Sequence, residues 1–419
     1  MDSLTVSQVG AINGSLTAGG AKNSVLLLLA ASVLATKPIV LTRVPRISDV
    51  ERMCRLLKQL NIKITHLSSH SLLIDPSDIQ YSDLLGDECQ DIRTSILFLG
   101  ALLGRFGRAK LRTPGGCKLG VRPIDLHVKA MKELGAIVSV TEGVVSASFP
   151  GVISDHISFD KVTVTGTVNA ILAACRHQNP VLIEHVAQEP EIDDLICLLQ
   201  SMGLNVLREG VNVRVSGQVM DLAVEHKVIP DRIEVGTFLI TTAVLGGSIR
   251  INDMNPELLT TVLSCLTKVG AKIETGSDFI SLEMTERPKA LDIVTAPYPG
   301  FPTDLQPPWS VLSAVSEGTS KIQDMIYSER VDHFVELNKM GAQCQLVPNG
   351  AIIKGVLDLE GATLCAHNLR SAAALVIAAC KAEKKSTILQ INVIKRGYPD
   401  FFGTIKKLSK TMVCKPVEN

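Results

Sequence analysis

The stretch Asp125-Leu126-His127-Val128-Lys129-Ala130-Met131-Lys132-Glu133-Leu134-Gly135-Ala136-Ile137-Val138-Ser139 indicates how this chain folds. Its apolar residues fall at helical spacing as far as Leu134, and a short β-type run follows at 137–139. Gly135 stands where a helix that stops in a left-handed residue needs it. The stretch therefore predicts an amphipathic helix, a glycine stop and a strand.

This pattern recurs about every 70 residues, and such a fixed period indicates a repeat architecture. The other helix ends of this kind are Leu60-Asn61-Ile62, Met202-Gly203-Leu204, Val269-Gly270-Ala271 and Met340-Gly341-Ala342. β-type runs follow at 63–65, 205–207 and 272–274, and a sixth copy ends weakly near Leu408-Ser409-Lys410. We therefore expect six units in a chain of this length.

Each unit also opens with a very apolar, alanine-rich helix. These helices are predicted at 23–35, 92–103, 168–175, 237–245 and 371–380. A helix that is apolar all round must be buried on all sides, which predicts helices inside and sheets outside. No G-x-G-x-x-G motif follows a strand, so the pattern does not favour a nucleotide-binding parallel sheet.

The composition excludes several classes of protein. A chain of 419 residues favours two domains of roughly 200 residues each. With 42 basic and 42 acidic residues, the chain gives no sign of a nucleic-acid or membrane partner. The ten cysteines form no C-x-x-C pair, which makes a zinc site improbable, and the start of the chain does not look like a signal peptide. We expect a reduced, soluble, cytoplasmic enzyme.

A reactive cysteine is predicted in the loop Thr113-Pro114-Gly115-Gly116-Cys117-Lys118-Leu119-Gly120-Val121-Arg122. Glycines allow a ligand to approach the backbone closely. Lys118 and Arg122 place Cys117 in a positive field, which favours the thiolate. Cys117 is therefore a candidate catalytic residue.

Several cationic residues occupy equivalent ends of the repeats, just before a helix or just after a strand. They are Lys22, Arg93, Arg122, Arg370 and Arg396. Guanidinium groups that converge on one pocket suit a substrate with both a phosphate and a carboxylate, such as phosphoenolpyruvate. Asp304 follows a stretch rich in proline and glycine at 296–301, and a rigidly held carboxylate can act as a general base.

These motifs resemble those of the UDP-N-acetylglucosamine enolpyruvyl transferases. The resemblance rests on the Pro-Gly-Gly-Cys loop at 114–117, Gly-Ala-Lys-Asn at 20–23 and Pro-Thr-Asp at 302–304, and it covers nearly the whole chain. It implies an α/β fold of two domains, an inside-out α/β barrel with three repeated units in each domain. One domain would hold residues 1–21 and 231–419, and the other 22–230.

The resemblance also implies a reaction, in which the enolpyruvyl group of phosphoenolpyruvate passes to the 3-hydroxyl of UDP-N-acetylglucosamine and phosphate is released. Cys117 would be the general acid and the target of fosfomycin, Asp304 the general base, and Lys22 and Arg396 would assist catalysis. No metal or organic cofactor is implied. The further substrate contacts that it implies are Asn23, Arg93, Arg122, Pro123, Ile124, Asp125, Leu126, Lys161, Val162, Thr163, Val164, Ile326 and Arg370. Read without the family, 125–127 predicts a helix start and 161–164 a strand.

The chain departs from the family pattern in a few places. Asn368 stands where an aspartate usually precedes Leu-Arg, Ser48 replaces a frequent lysine, and Pro307-Pro308-Trp309 replaces polar residues. Two alternatives stay open. One is an enolpyruvyl transferase for shikimate 3-phosphate, which the Cys117 loop argues against, or for another nucleotide. The other is a catalytically retired protein that binds UDP-sugar, for which Asn368 is the main support.

Overall fold

The structure is a computed structural model that describes residues 2–115, 124–151, 154–177, 179–216, 222–409 and 414–416. The chain divides into two compact units. The terminal unit comprises the residues up to Gly19 together with those from Pro230 onward, and the central unit runs from Gly20 to Ile229.

Both units have a mixed α/β fold. The strands are β1 (Ser3–Val6), β2 (Ile12–Thr17), β3 (Ile39–Thr42), β4 (Lys63–Ser68), β5 (Ser71–Asp75), β6 (Arg108–Arg112), β7 (Ile137–Thr141), β8 (Val144–Ser148), β9 (His156–Ser158), β10 (Val181–Glu184), β11 (Asn205–Glu209), β12 (Asn212–Ser216), β13 (Val224–Lys227), β14 (Gly247–Asn252), β15 (Lys272–Thr275), β16 (Phe279–Met284), β17 (Ile293–Val294), β18 (Thr319–Gln323), β19 (Gln343–Val347), β20 (Gly350–Lys354), β21 (Thr363–Cys365), β22 (Ser386–Leu389) and β23 (Cys414–Pro416). The helices are α1 (Lys22–Ala31), α2 (Ser48–Gln59), α3 (Glu88–Asp91), α4 (Leu97–Phe106), α5 (Asp125–Glu133), α6 (Val164–Ala174), α7 (Pro190–Ser201), α8 (Arg232–Leu245), α9 (Thr260–Lys268), α10 (Gln306–Val315), α11 (Asp332–Lys339), α12 (Leu369–Lys381) and α13 (Phe401–Leu408).

The central unit contains three sheets, with strand orders β13-β3-β5-β4, β6-β8-β7 and β9-β10-β12-β11. The pairs β13–β3 and β9–β10 are parallel, and the other neighbours are antiparallel. In the three-stranded sheet, a parallel bridge between Leu84 and Leu111 stands where the other sheets have their parallel strand. The three sheets are thus variants of one pattern.

The terminal unit repeats this pattern in the sheets β2-β14-β16-β15, β17-β18-β20-β19 and β21-β22-β1-β23. In each of them one outer pair is parallel, namely β2–β14, β17–β18 and β21–β22, and the remaining pairs are antiparallel. An antiparallel hairpin beside one parallel strand needs a helix to make the crossover connection, which explains why helices and hairpins alternate along the chain.

Each unit buries three apolar helices almost completely: α1, α4 and α6 in the central unit, and α8, α10 and α12 in the terminal unit. Helices α4 and α6 approach so closely that their backbones touch. A Cβ added to Gly100 would meet the carbonyl oxygen of Asn169 at 2.3 Å, and one added to Gly104 would meet that of Leu172 at 2.2 Å. Glycine is therefore required at both positions, since any side chain would push the helices apart.

The predicted helix stops are confirmed. Gly135, Gly203, Gly270 and Gly341 have φ of 96°, 95°, 111° and 82°, and Asn61 at the equivalent place has φ of 60°. Asparagine is the residue that most readily replaces glycine in this left-handed region. Helix α5 begins at Asp125, and the runs at 63–65, 137–139, 205–207 and 272–274 all lie in strands.

Two predictions about local structure were wrong, and one buried helix was not predicted. Residues 161–164 are not a strand: 161–163 form a loop and Val164 begins α6. The helix predicted from Ile92 starts with a 3₁₀ turn at Arg93 and becomes α-helical at Leu97. The buried helix α10 was not predicted, because Pro307 and Pro308 look like helix breakers; they lie in its first turn, where backbone N–H groups have no partner within the helix.

Candidate functional site

The Lys22 cluster consists of Lys22, Asp49 and Arg52, all in the central unit. Lys22 is the first residue of α1, as predicted, and its Nζ lies 2.8 Å from Oδ2 of Asp49. Asp49 is buried in the first turn of α2, where its charge also complements the helix dipole. Nη1 of Arg52 donates to Oδ1 of Asp49 at 2.8 Å, so one buried carboxylate holds two cations.

Ser48, where the family frequently has lysine, lies within this cluster. Its Oγ accepts a hydrogen bond of 3.1 Å from Nη1 of Arg52. The positive charge next to Asp49 is therefore carried by Arg52, one helical turn further along. Asn23 follows Lys22 as the second residue of α1 and is partly buried.

The predicted nucleotide contacts lie at the starts of two helices of the central unit. Ile124 precedes α5, which begins with the exposed Asp125 and then the partly buried Leu126. Thr163 caps α6 by accepting a hydrogen bond of 3.3 Å from the N–H of Gly166. Lys161 and Val162 precede the cap and are exposed, and Val164 is the first helical residue.

His127 joins these two helix starts. Its Nδ1 lies 2.7 Å from Nδ2 of Asn169, and its Nε2 lies 3.2 Å from Oγ1 of Thr165. Because the amide nitrogen can only donate, Nδ1 accepts and the proton lies on Nε2. Burial, with a further contribution from Arg93, lowers the pKa of His127 to about 4, so the ring is neutral near pH 7. The structure thus brings Arg93 and the segments around 125 and 164 together.

The Asp304 cluster, in the terminal unit, consists of Asp304, Arg330 and Arg370. Asp304 lies in a 3₁₀ turn, Thr303–Leu305, that leads into α10. Its Oδ1 accepts from Nη1 of Arg330 at 3.0 Å and its Oδ2 from Nη2 of Arg370 at 2.8 Å. The two arginine side chains are 8% and 6% exposed and Asp304 is 24% exposed, so a ligand can reach the carboxylate more easily than its partners.

The electrostatics of this cluster keep Asp304 ionised. Burial alone would raise its pKa, but the charges and hydrogen bonds of Arg370 and Arg330 outweigh burial and hold the pKa well below its usual range. Arg370 also donates to the hydroxyl of Tyr398 at 3.2 Å, and that hydroxyl lies 2.8 Å from Oγ1 of Thr237. The fork of Arg370 is thus fixed at both ends.

Two other predicted residues lie close to the Asp304 cluster. Ile326 follows β18, and its N–H donates to Oδ1 of Asp324 at 3.1 Å, while Oδ2 of Asp324 accepts from Thr303 at 2.6 Å. Arg396 ends a 3₁₀ segment, Ile391–Arg396, that packs against the start of α12. The next residue, Gly397, is so near α12 that an added Cβ would meet Cδ2 of Leu369 at 2.5 Å.

Three predicted residues, Cys117, Arg122 and Pro123, lie outside the described residues. The described cysteines nevertheless bear on the choice of Cys117. Burial raises the pKa of Cys54, Cys175 and Cys344 to about 12 and that of Cys89 to about 11. Thiols of this kind form little thiolate and react slowly.

Sequence analysis missed Asp49, Arg52 and Arg330. Asp49 and Arg52 are spaced i,i+3 in a predicted amphipathic stretch, which is a signal for a helical ion pair but not for a role beside Lys22. Arg330 lies after β18 and just before α11. This place in the repeat, which is of the kind that singled out the predicted arginines, could have indicated Arg330.

Within the described part of the chain, no helix is long and apolar enough to cross a membrane. Nor do the described His, Cys, Asp and Glu side chains form a group of three or more that could hold a metal ion.

Comparison with known proteins places the chain in a family. Residues 6–405 match the family model for EPSP synthase (3-phosphoshikimate 1-carboxyvinyltransferase). The chain is 39% identical to UDP-N-acetylglucosamine 1-carboxyvinyltransferase 2 of Clostridium acetobutylicum, over 97% of this chain and 98% of that protein. It is 40% identical to UDP-N-acetylglucosamine 1-carboxyvinyltransferase of Shewanella woodyi, over 99% of both. The chain belongs to the UDP-N-acetylglucosamine 1-carboxyvinyltransferase family.

Solved structures share the fold of this family member. The enolpyruvyl transferase NikO from Streptomyces tendae matches with a TM-score of 0.88 at 20% identity, over 100% of both chains. EPSP synthase from Acinetobacter baumannii matches with a TM-score of 0.73 at 17% identity, over 99% of this chain and 100% of that one. At these identities the similarity shows the fold alone, and the fold class is therefore that of the enolpyruvyl transferases.

Proposed function

We propose that this chain transfers the enolpyruvyl group of phosphoenolpyruvate to the 3-hydroxyl of UDP-N-acetylglucosamine and releases phosphate, the first committed step of peptidoglycan precursor synthesis. The observation that carries the proposal is the identity of 39% and 40%, over nearly the whole chain, to relatives named for this activity. The ionised Asp304, held beside two arginines, supplies a carboxylate suited to the reaction.

In the proposed reaction, Cys117 donates a proton to the methylene carbon of phosphoenolpyruvate, which leaves the neighbouring carbon electrophilic. The 3-hydroxyl oxygen then forms a bond to that carbon, and its proton passes to Asp304. Transfer of a proton from the methyl group back to the Cys117 thiolate restores the double bond as the C–O bond to phosphate breaks. Because its pKa is low, Asp304 is a weak base, and it takes the proton only as the attacking hydroxyl becomes acidic.

The cationic residues would bind the anionic groups of both substrates. Lys22, Arg93, Arg122, Arg370 and Arg396 suit the phosphate and carboxylate of phosphoenolpyruvate and the charge that develops during addition. The starts of α5 and α6, which His127 joins, offer backbone N–H groups to the diphosphate of the nucleotide. Contacts with this nucleotide are proposed for Asn23, Pro123, Ile124, Asp125, Leu126, Lys161, Val162, Thr163, Val164 and Ile326.

We further propose that each unit is a domain of three repeats and that its sheets surround the three buried helices as an inside-out α/β barrel. The three sheets of each unit and the nearly complete burial of α1, α4, α6, α8, α10 and α12 support this arrangement. A cytoplasmic location is proposed because the described cysteines 54, 89, 175, 197, 265, 344, 365 and 380 are free thiols, as is usual in a reducing compartment.

The test is an assay of phosphate release from phosphoenolpyruvate by the purified chain, with UDP-N-acetylglucosamine, with shikimate 3-phosphate, or with no acceptor. Release that depends on UDP-N-acetylglucosamine is expected, with enolpyruvyl-UDP-N-acetylglucosamine as the second product by mass spectrometry. Release with shikimate 3-phosphate alone would replace the proposed acceptor. Binding of UDP-N-acetylglucosamine without any release would favour the retired relative.

The proposed acid is tested by substituting Cys117. Cys117→Ser should lower turnover severely because a hydroxyl is a poor acid, whereas Cys117→Asp should keep activity because a carboxyl can donate the proton. An epoxide such as fosfomycin should alkylate Cys117 and not the buried thiols of Cys54 or Cys175, which peptide mapping would show. Alkylation at another cysteine, with turnover lost, would contradict the assignment.

A further inference from the structure

Asn368 has a defined place in the structure at the start of α12. Its Oδ1 accepts hydrogen bonds of 3.0 Å from the N–H groups of Arg370 and Ser371, so it caps the helix. Its Nδ2 donates to Oγ of Ser371, in the first turn of the same helix, at 2.7 Å. It also donates to Oδ1 and Oδ2 of Asp332 at 3.2 and 3.0 Å. An amide does what an aspartate at this position could not, because a carboxylate has no proton to donate to Asp332.

Asp332 contacts the same helix turn a second time. It is the first residue of α11, and its Oδ2 accepts a hydrogen bond of 2.5 Å from Oγ of Ser371. The carboxylate therefore lies at the N-terminal ends of two helices, α11 and α12, where a negative charge is stabilised by both. Neither Asp332 nor this contact was singled out from the sequence.

The turn that Asp332 holds is the turn that carries Arg370. The N–H of Arg370 is bonded to Asn368, and its guanidinium is bonded to Asp304. Asp332 and Asn368 thus hold the backbone of the residue whose guanidinium pairs with Asp304. We therefore expect a change of charge at Asp332 to alter the position of the Arg370 guanidinium relative to Asp304.

We propose that Asp332 is a positioning residue of the reaction: it holds the first turn of α12 in place and supplies the negative charge that the family usually carries at position 368. The proposal rests on the proposed function, in which Asp304 is the general base. In this chain the carboxylate is at position 332 and its amide partner at position 368, on two neighbouring elements, and substitution can exchange the two groups. The departure at Asn368 therefore preserves the site and is not a sign of lost activity.

The exchange predicts a specific pattern among four full-length proteins: the natural chain, Asp332→Asn, Asn368→Asp, and the double variant. Asp332→Asn removes a charged acceptor from three hydrogen bonds and should lower kcat about tenfold, with less effect on the KM for phosphoenolpyruvate. Asn368→Asp places two carboxylates against each other and should lower kcat about a hundredfold. The double variant has one carboxylate and one amide again, and its kcat should lie within about threefold of the natural value.

Glu336→Gln is the matched control. Glu336 is also on α11 and buried, but its partners are the N–H of Cys365, Lys339 and His367, and not Asn368 or Ser371. This variant should lower the unfolding temperature and leave kcat within about twofold, since only side chains that hold Arg370 affect the reaction. The unfolding temperature of every protein is measured in parallel.

Two results would overturn the proposal. One is a double variant whose kcat is as low as the product of the two single effects. The other is a double variant that regains the unfolding temperature but not kcat, which would make the pair purely structural. If the natural chain releases no phosphate, the proposed function fails, and the unfolding temperatures then decide the role of Asp332. Unfolding temperatures that show no coupling between the two substitutions would overturn the proposal. Coupling between them would show that Asp332 and Asn368 act together only to position α12.

Discussion

The Lys22 cluster and the Asp304 cluster are built from opposite charges. In the first, one buried carboxylate, Asp49, holds two cations, Lys22 and Arg52. In the second, two buried cations, Arg330 and Arg370, hold one carboxylate, Asp304. In both clusters the motif residue, Lys22 or Asp304, lies at the start of a buried helix. Side chains of opposite charge from outside that short motif hold it by ion pairs.

The comparison shows how a neighbouring side chain compensates for a charge that this chain lacks relative to the family pattern. Ser48 lacks the charge of a lysine, and Arg52 places a guanidinium against it. Asn368 lacks the charge of an aspartate, and Asp332 places a carboxylate against it. A cluster keeps its balance of charge when a neighbouring residue carries the charge that was lost, because Coulomb energy depends on distance in space and not on position in the chain.

The largest effect is expected from Asp304→Asn. The amide keeps the shape but cannot accept the hydroxyl proton, and kcat should fall about a thousandfold. The steady-state rate of phosphate release measures this. Asp292→Asn is the control, because Asp292 is in the same unit but only accepts the N–H of Lys321. Equal activity of the two variants would remove Asp304 from the mechanism.

Arg330→Met tests whether the second arginine sets the pKa of Asp304. Its loss should raise that pKa toward the usual range, so the acid limb of the kcat/KM profile should move to higher pH. Because a carboxylate of usual pKa loses its charge only below about pH 4, we expect the loss to be largest at and below that pH and smaller at pH 8. In the control Arg287→Met, the arginine bonds only the carbonyl oxygens of Val315, Ser316 and Val356, and an acid limb that moved equally there would refute the assignment.

Glu234, which is near the Asp304 cluster, predicts a dependence of stability on pH. Burial, and after it the charge of Asp231, raises its pKa from 4.5 to about 8. Since the folded state binds the proton more tightly, this contribution to stability is full below pH 4.5 and is lost as the pH rises through about 8. In the natural chain the free energy of unfolding should fall by on the order of 2 kcal/mol between pH 5 and pH 9, and Glu234→Gln should abolish this fall. Thermal unfolding across that range tests this, with the exposed Glu274→Gln as control.

Arg52→Met should have the smallest effect. Asp49 would then bind Lys22 more tightly, and Lys22 would be less available to an anionic substrate. The KM for phosphoenolpyruvate should rise about threefold with kcat nearly constant, as for loss of a partly exposed ion pair. Arg55→Met, on the exposed side of the same helix, should leave KM unchanged. A lower KM in Arg52→Met would reverse the role given to Arg52.

The repeats and the start of α5 could be predicted from the sequence because they depend on local hydrogen bonding. The period of 3.6 residues, the strand runs and the left-handed stops at Asn61 and Gly135 are properties of neighbouring residues, and they hold in the structure. Lys22 and Arg370 were found because they lie at predicted helix starts, and Asp304 because it follows a stretch rich in proline and glycine. Local pattern failed at Pro307-Pro308, where the same residues that break a helix interior begin a helix.

The sequence by itself therefore determined the family, the repeated α/β units and the residues of the motifs. Only the tertiary structure decided which residues lie against them: Asp49 and Arg52 beside Lys22, Arg330 between Thr303 and Asp304, and Asp332 beside Asn368. Arg330 is 26 residues from Asp304 and Asp332 is 36 from Asn368. Their contacts arise from how strands and helices pack in three dimensions, and no local periodicity encodes a pairing over such a separation.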